Sequence, residues 1–152
     1  MKFLKYSGVV VILVLIGLQF MPVERNESES TPDSDFIKIY DPPANVRLTL
    51  QNSCYDCHSN NTRYPWYNNI QPVAWYLENH IEDGKEELNF SEFGSYSSRR
   101  KRSKLRSMIS QVENGEMPLD SYVILHEDAK LSPQEKETFI QWLDSLALEV
   151  VN

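Results

Sequence analysis

Cysteine is scarce in this chain. There are two in 152 residues, both within one stretch of five, so a scaffold of several disulfides is excluded. Positive charge is also in short supply, 15 Lys and Arg against 22 Asp and Glu, for a net charge of −7. That balance lacks the broad basic field of non-specific nucleic-acid binders, and no nucleic-acid partner is expected. No segment sustains the alternation of apolar and polar residues that marks a half-buried strand. There is no internal repeat and no long low-complexity tract. What is present suffices for one domain with appendages: 41% of the residues are hydrophobic and 11% aromatic, which places the chain outside the disordered class.

The first 23 residues differ in kind from the rest. Lys2 and Lys5 precede an uncharged run from Gly8 to Phe20, and Glu24, Arg25, Glu27 and Glu29 follow it. This order is that of an export signal. No small-residue cleavage pattern follows the run, and no cysteine that could carry a lipid. From Tyr6 to Val23 there are 18 residues, at the lower end of what spans a bilayer. The expectation is an uncleaved membrane anchor over 1–23, with a cleaved signal as the alternative. The lysines before the run put the N-terminus inside and the remainder outside. The expected location is therefore the inner membrane, crossed once, with the folded domain in the periplasm. Residues 24–35 are charged and Ser-rich and are expected to be a flexible linker. The folded domain is expected over 36–152.

Periodicity and end signals predict four helices. The first starts near Pro43, carries Val46 and Leu50, and runs into Cys54. The second starts near Pro72, with Val73, Leu77, His80 and Ile81 on one face and Gly84 as its stop. The third starts at Ser97 or Ser98, buries Leu105, Met108, Ile109 and Val112, and ends at Asn114-Gly115. The fourth starts at Ser132, where Pro133 and Glu135 complete a capping box, and carries Phe139, Trp142, Leu143 and Leu146. The fold class is all-α. Long loops remain at 59–71, 85–96 and 115–131, and wrapping a large prosthetic group would account for their length.

That group is indicated by Cys54-Tyr55-Asp56-Cys57-His58, a Cys-x-x-Cys-His sequence, the attachment signature of c-type haem. Two thiols three residues apart on a helical turn reach the two vinyl groups of one porphyrin, and the next residue brings an imidazole beneath the iron. A thiol–disulfide site usually sits in a βαβ setting, which is absent here. A tetrahedral zinc site needs four ligands, and the chain has only these two cysteines and two further histidines. For the second axial position the candidates are Met117, His80 and His126. Met117, before Pro118 in a loop ahead of the last helix, is favoured. Tyr64, Trp66, Tyr67 and Trp75 are candidates to pack on the porphyrin edge, with plain core packing as the alternative. The carbonyl of Pro65 or Pro72 is a candidate to fix the Nδ1 proton of His58. Arg99, Arg100, Lys101, Arg102, Lys104 and Arg106 form a basic cluster that is either a solvated helix face or a docking patch for an acidic redox partner or lipid headgroups.

Read in order, Cys54-Tyr-Asp-Cys-His-Ser-Asn60, Tyr64-Pro-Trp-Tyr67, Pro72-Val-Ala-Trp75, His80, Gly84, Asn89-Phe-Ser-Glu92, Met117-Pro118, Tyr122 and His126-Glu-Asp-Ala-Lys-Leu131 resemble the bacterial haem-binding domain family, found mainly in Bacteroidetes. These are small membrane-tethered proteins of the cytochrome c superfamily. The resemblance covers roughly residues 36–148, and Phe93 stands where that family would carry Trp. It implies one covalent haem c per chain on Cys54, Cys57 and His58. The reading that follows is a cytochrome c-like small helical domain wrapped around its haem. It would be a non-enzymatic single-electron carrier between periplasmic or membrane redox proteins. A haem-based sensor with an open or weakly ligated iron is the alternative, and a peroxidase, for which His80 or His126 would have to act at an open iron, is a third reading.

Overall fold

The computed structural model describes residues 2–21 and 23–150. Met1, Pro22, Val151 and Asn152, which fall within the segments 1–23 and 36–152 drawn from the sequence, lie outside the described residues. Among the described residues the chain is all-α, with eight helices and no strand. They are α1 (Lys2–Leu18), α2 (Phe36–Tyr40), α3 (Ala44–Ser53), α4 (Tyr55–His58), α5 (Val73–Glu87), α6 (Ser98–Glu113), α7 (Asp120–Val123) and α8 (Pro133–Glu149). Three 3-10 turns, Trp66–Asn69, Phe90–Ser95 and Glu127–Ala129, occupy parts of the expected long loops.

The four predicted helices are α3, α5, α6 and α8, and their start signals act as expected. Pro43 stands immediately before α3, without a capping hydrogen bond, and the Ser97 hydroxyl accepts from the Arg100 N–H at the head of α6. At α8 the Ser132 hydroxyl accepts from the Glu135 N–H while the Glu135 carboxylate accepts from the Ser132 N–H. The end of α6 is made by Asn114 and by Gly115 at φ +73°, a left-handed conformation that suits glycine. The stop at Gly84 does not hold, for α5 continues to Glu87. The reason for a glycine there is contact, as described below. The elements α2, α4 and α7 are one turn or little more, too short to carry a helical period that sequence reading could detect.

The core forms where α3, α6 and α8 meet, with α6 and α8 packed along each other. Val46 and Leu50 of α3, Leu105, Met108 and Val112 of α6, and Phe139, Leu143 and Leu146 of α8 are buried, the faces their spacing predicts. Phe36 fills the middle, its ring edge-on to Phe93 at 4.8 Å and to Trp142 at 5.8 Å, and tilted on Phe90 at 5.2 Å. Helix α5 stands on the other side and packs against α4, the short helix of the Cys-x-x-Cys-His motif.

The N-terminal expectation is overturned. Helix α1 ends at Leu18 rather than near Val23. Its 17 residues rise about 25 Å, short of the ~30 Å hydrocarbon layer, and two of them are Lys2 and Lys5. No helix among the described residues is long and apolar enough to cross a membrane. The expected single-pass inner-membrane anchor is therefore withdrawn, and with it the localisation that rested on it. The chain turns at residues 19–21, and Gln19 is fixed to the domain, its Nε2 donating to Gln71 O at 3.0 Å and its Oε1 accepting from Gln71 N at 3.1 Å. Between Gly8 and Gly17 the side chains of α1 are exposed.

The segment 24–35 is pinned to the domain, most firmly through Asn26 and Asp35, with Arg25 and Ser34 adding hydrogen bonds to Asn69 and Ser91. Asn26 bridges four groups, its Nδ2 donating to Ser59 O at 2.7 Å and Thr62 Oγ1 at 2.9 Å, its N–H to Tyr64 Oη, and its Oδ1 accepting from Lys85 Nζ. Asp35, buried, caps α2 through the N–H groups of Ile37 and Lys38. The Ser-rich composition gave no sign of either contact.

Candidate cofactor site

Helix α3 stops at Ser53 because Cys54, at φ −131° and ψ −45°, breaks the helical path, and α4 restarts at Tyr55. The N–H groups of Cys57 and His58 both donate to Cys54 O, which winds the motif into one turn. Both cysteines are free thiols. Burial, and then the neighbouring Cys57, pushes the Cys54 thiol up to about 12. Burial, and then the Asp56 charge, pushes Cys57 up to about 11. Reactive redox cysteines are held in the opposite direction, as thiolates.

The two residues between the cysteines hold the motif in place. Tyr55 stacks on Phe90 at 5.0 Å, nearly parallel, and its hydroxyl donates to Asp35 Oδ1 at 3.1 Å. Asp56 is 7% exposed and fully satisfied. Its Oδ1 accepts from Arg63 N and Nε, and its Oδ2 accepts from Tyr122 Oη at 2.7 Å and from Arg63 Nη2. Burial, then the bond to Asp56, drives the Tyr122 hydroxyl far above the usual phenol range, so it stays a donor. The turn is thus tied to the α2 entrance, to the 62–63 loop and to α7.

His58 is oriented from α5. Its Nδ1–H donates to Gly84 O at 2.7 Å and to Leu88 O at 3.0 Å. These carbonyls take the part expected of Pro65 or Pro72. The bond needs α5 close to α4, which explains Gly84, since a Cβ there would lie 2.9 Å from Cys57 O. Burial holds His58 below the ordinary histidine range, opposed by the Leu88 and Gly84 bonds and by Glu87, and reinforced by Lys104. A neutral imidazole with Nδ1–H engaged keeps Nε2 as the free lone pair, the state in which histidine ligates a metal.

Met117 faces the same space. Beyond Gly115 the N–H groups of Glu116 and Met117 both donate to Gln111 O, at 2.8 and 3.2 Å, folding the loop back on the last turn of α6. A cavity of about 200 Å³ is lined by Cys54, His58 and Met117, with Leu88, Phe90, Met108, Val112 and Phe139 as apolar wall and Glu87, Lys104 and Gln111 among its polar groups. One thiol, one available imidazole and one thioether on an apolar cavity, with the second thiol three residues along, fit a haem with histidine and methionine ligands.

The remaining predicted residues lie elsewhere. His80 Nδ1 donates to Tyr76 O at 2.9 Å within α5, and its ring lies against Tyr76. His126 shares a 2.7 Å hydrogen bond with Tyr67 Oη and stacks on Tyr122 at 4.2 Å. Tyr64 is a strut, donating to Glu78 Oε2 at 3.0 Å. Trp66 is 76% exposed, and Trp75 lines a different groove, with Glu78 and Lys85. None of these six lines the cavity with His58. Lys104, Gln111 and Phe90 do. Sequence reading missed Gln111 and Phe90 and took Lys104 only as part of the basic cluster, although its i, i+3, i+4, i+7 spacing with Ser107, Met108 and Gln111 marks one face of α6. Among the described residues no cluster of three or more His, Cys, Asp or Glu is placed to hold a metal ion, which disfavours a zinc site.

An all-α domain that gathers these donors at one apolar cavity has the make-up of a haem-binding protein. Residues 13–145 match the family model described as a haem-binding domain, and the chain belongs to that family. No curated protein and no solved structure matches it.

Proposed function

We propose that the chain is a monohaem c-type cytochrome that carries single electrons between redox proteins. The observation that carries this reading is the convergence of Cys54, His58 and Met117 on one apolar cavity. Cys54 and Cys57 would hold the haem through their two thiols, as thioethers to its vinyl groups. His58 Nε2 would ligate the iron, its Nδ1–H held by Gly84 O and Leu88 O. Met117 would be the second ligand, a pairing that would raise the potential relative to two histidines. The haem, when bound, supplies the one-electron couple. The chain's residues bind it, orient it and keep water from it through Phe90, Met108 and Phe139, and no acid–base group is needed.

The test is an absorption spectrum of the full chain, made together with a haem-attachment machinery. The expected result is a c-type reduced spectrum, haem that resists acid extraction, and a far-red sulfur-to-iron band in the oxidised form. In Cys54→Ala/Cys57→Ala the covalent haem should be lost. In Met117→Ala the far-red band should vanish with haem retained. Covalent haem in the double cysteine variant refutes the attachment. A wild-type chain without the far-red band discards Met117 and favours the sensor reading with an open iron.

A further inference from the structure

One residue of the basic cluster stands apart from the others. Arg99 and Arg106 are exposed and line no cavity with His58, and Arg100 lies over the Tyr96 ring at 3.8 Å. Lys104 alone of the six lines the cavity that holds Cys54, His58 and Met117. Its Nζ stands 3.3 Å from Glu87 Oε2, and Glu87 lines the same cavity. Glu87 also precedes Leu88, whose carbonyl holds His58 Nδ1, so the pair flanks the imidazole that would ligate the iron. Both charges are felt at that ring in opposite senses, that of Glu87 ahead of that of Lys104.

The two charges differ in burial, so solvent and salt act on them unequally. The Lys104 side chain is 23% exposed and that of Glu87 84%. Water and salt screen the exposed carboxylate more than the part-buried ammonium. Resting on the haem reading above, we infer that Lys104 raises the reduction potential of the bound haem and that Glu87, its exposed partner, damps the effect. The oxidised haem carries one more positive charge than the reduced form. A nearby cation therefore disfavours the oxidised state, and one electron enters with no bond made or broken. Of the levers a protein has on a haem, this is the local charge rather than ligand identity. It also gives the Lys104–Glu87 pair a use, where an isolated surface ion pair adds little stability.

The experiment is a spectroelectrochemical titration of the full haem-loaded chain and its variants at low ionic strength. Lys104→Gln should have a lower midpoint potential with its absorption bands unchanged. Lys104→Arg should stay near wild type. Glu87→Gln should move upward. A Lys104→Gln potential at or above wild type overturns the inference, and so does a Glu87→Gln potential below it. A Lys104→Arg potential that falls as far as that of Lys104→Gln would assign the effect to packing and overturns it too. A wild-type chain that carries no covalent haem sinks the underlying haem c reading itself, which is a distinct result.

Discussion

Gly84 shows how one residue serves the site. By helix propensity alone, alanine at an interior helical position would stabilise by ~0.5–1 kcal/mol. Here the added Cβ meets the Cys57 carbonyl oxygen at 2.9 Å, and that oxygen is backbone and cannot swing aside. The clash reverses the sign. Gly84→Ala should destabilise the protein by about 1–2 kcal/mol, read as a lower urea midpoint at unchanged slope. It should also lengthen the Gly84 O to His58 Nδ1 contact and lower the yield of covalent haem. A variant as stable as wild type would mean that α4 and α5 have room to part. The same scale explains a misreading. Glycine in a helical pattern commonly marks an end, and nothing in the linear sequence distinguishes that use from close approach to another helix.

At the scale of elements, the four long helices were legible because their signals are local. Ser132, Pro133 and Glu135 make a capping box within four residues, and the chemistry needs no tertiary partner. Hydrogen bonds from the Ser132 side chain and backbone hold the Glu135 carboxyl below the ordinary glutamate value of 4.5. A carboxyl whose folded pKa is depressed adds stability that is complete above its unfolded pKa and lost as pH falls through the folded one. Glu135→Gln should therefore be less stable than wild type at pH 7, and the difference should shrink to nothing as pH falls through the depressed value of the folded carboxyl. Ser132→Ala should cost about 1 kcal/mol at pH 7. Urea titrations at pH 7 and in acid check both. A gap that persists in acid would show that packing, not the carboxylate, is at work. The short elements α2, α4 and α7 were not legible, because single turns are held by distant groups such as Tyr55 on Asp35 and Tyr122 on Asp56.

For the whole molecule, the core and the site share a wall. Phe90 is buried among Phe36, Tyr55 and His58 and also lines the cavity. Removing it opens the core and the site together. Phe90→Ala should cost ~3–5 kcal/mol in stability, more than its cavity alone would suggest if the site cannot collapse. Its thermal midpoint should fall accordingly, and bound haem should restore part of the loss, since a ligand that binds only the folded state stabilises it. Equal loss with and without haem would separate the core from the site.

The sequence by itself determined the all-α class, the helices α3, α5, α6 and α8 with their buried faces, and the choice of Cys54, His58 and Met117, which one cavity brings together. Each of these rests on a spacing of a few residues, and helical geometry translates such spacings directly into position. It also suggested a membrane span, which the fold withdrew: hydropathy counts apolar residues, while the length of α1 is set by where its hydrogen bonds stop and where Gln19 meets Gln71. Only the tertiary structure decided which carbonyls orient His58, that Asn26 fastens the N-terminal segment, that His80 and His126 are engaged elsewhere, and that Lys104 rather than its arginine neighbours faces the cavity. Those contacts join residues tens of positions apart, and their partners are fixed by packing of the whole chain, not by any local pattern.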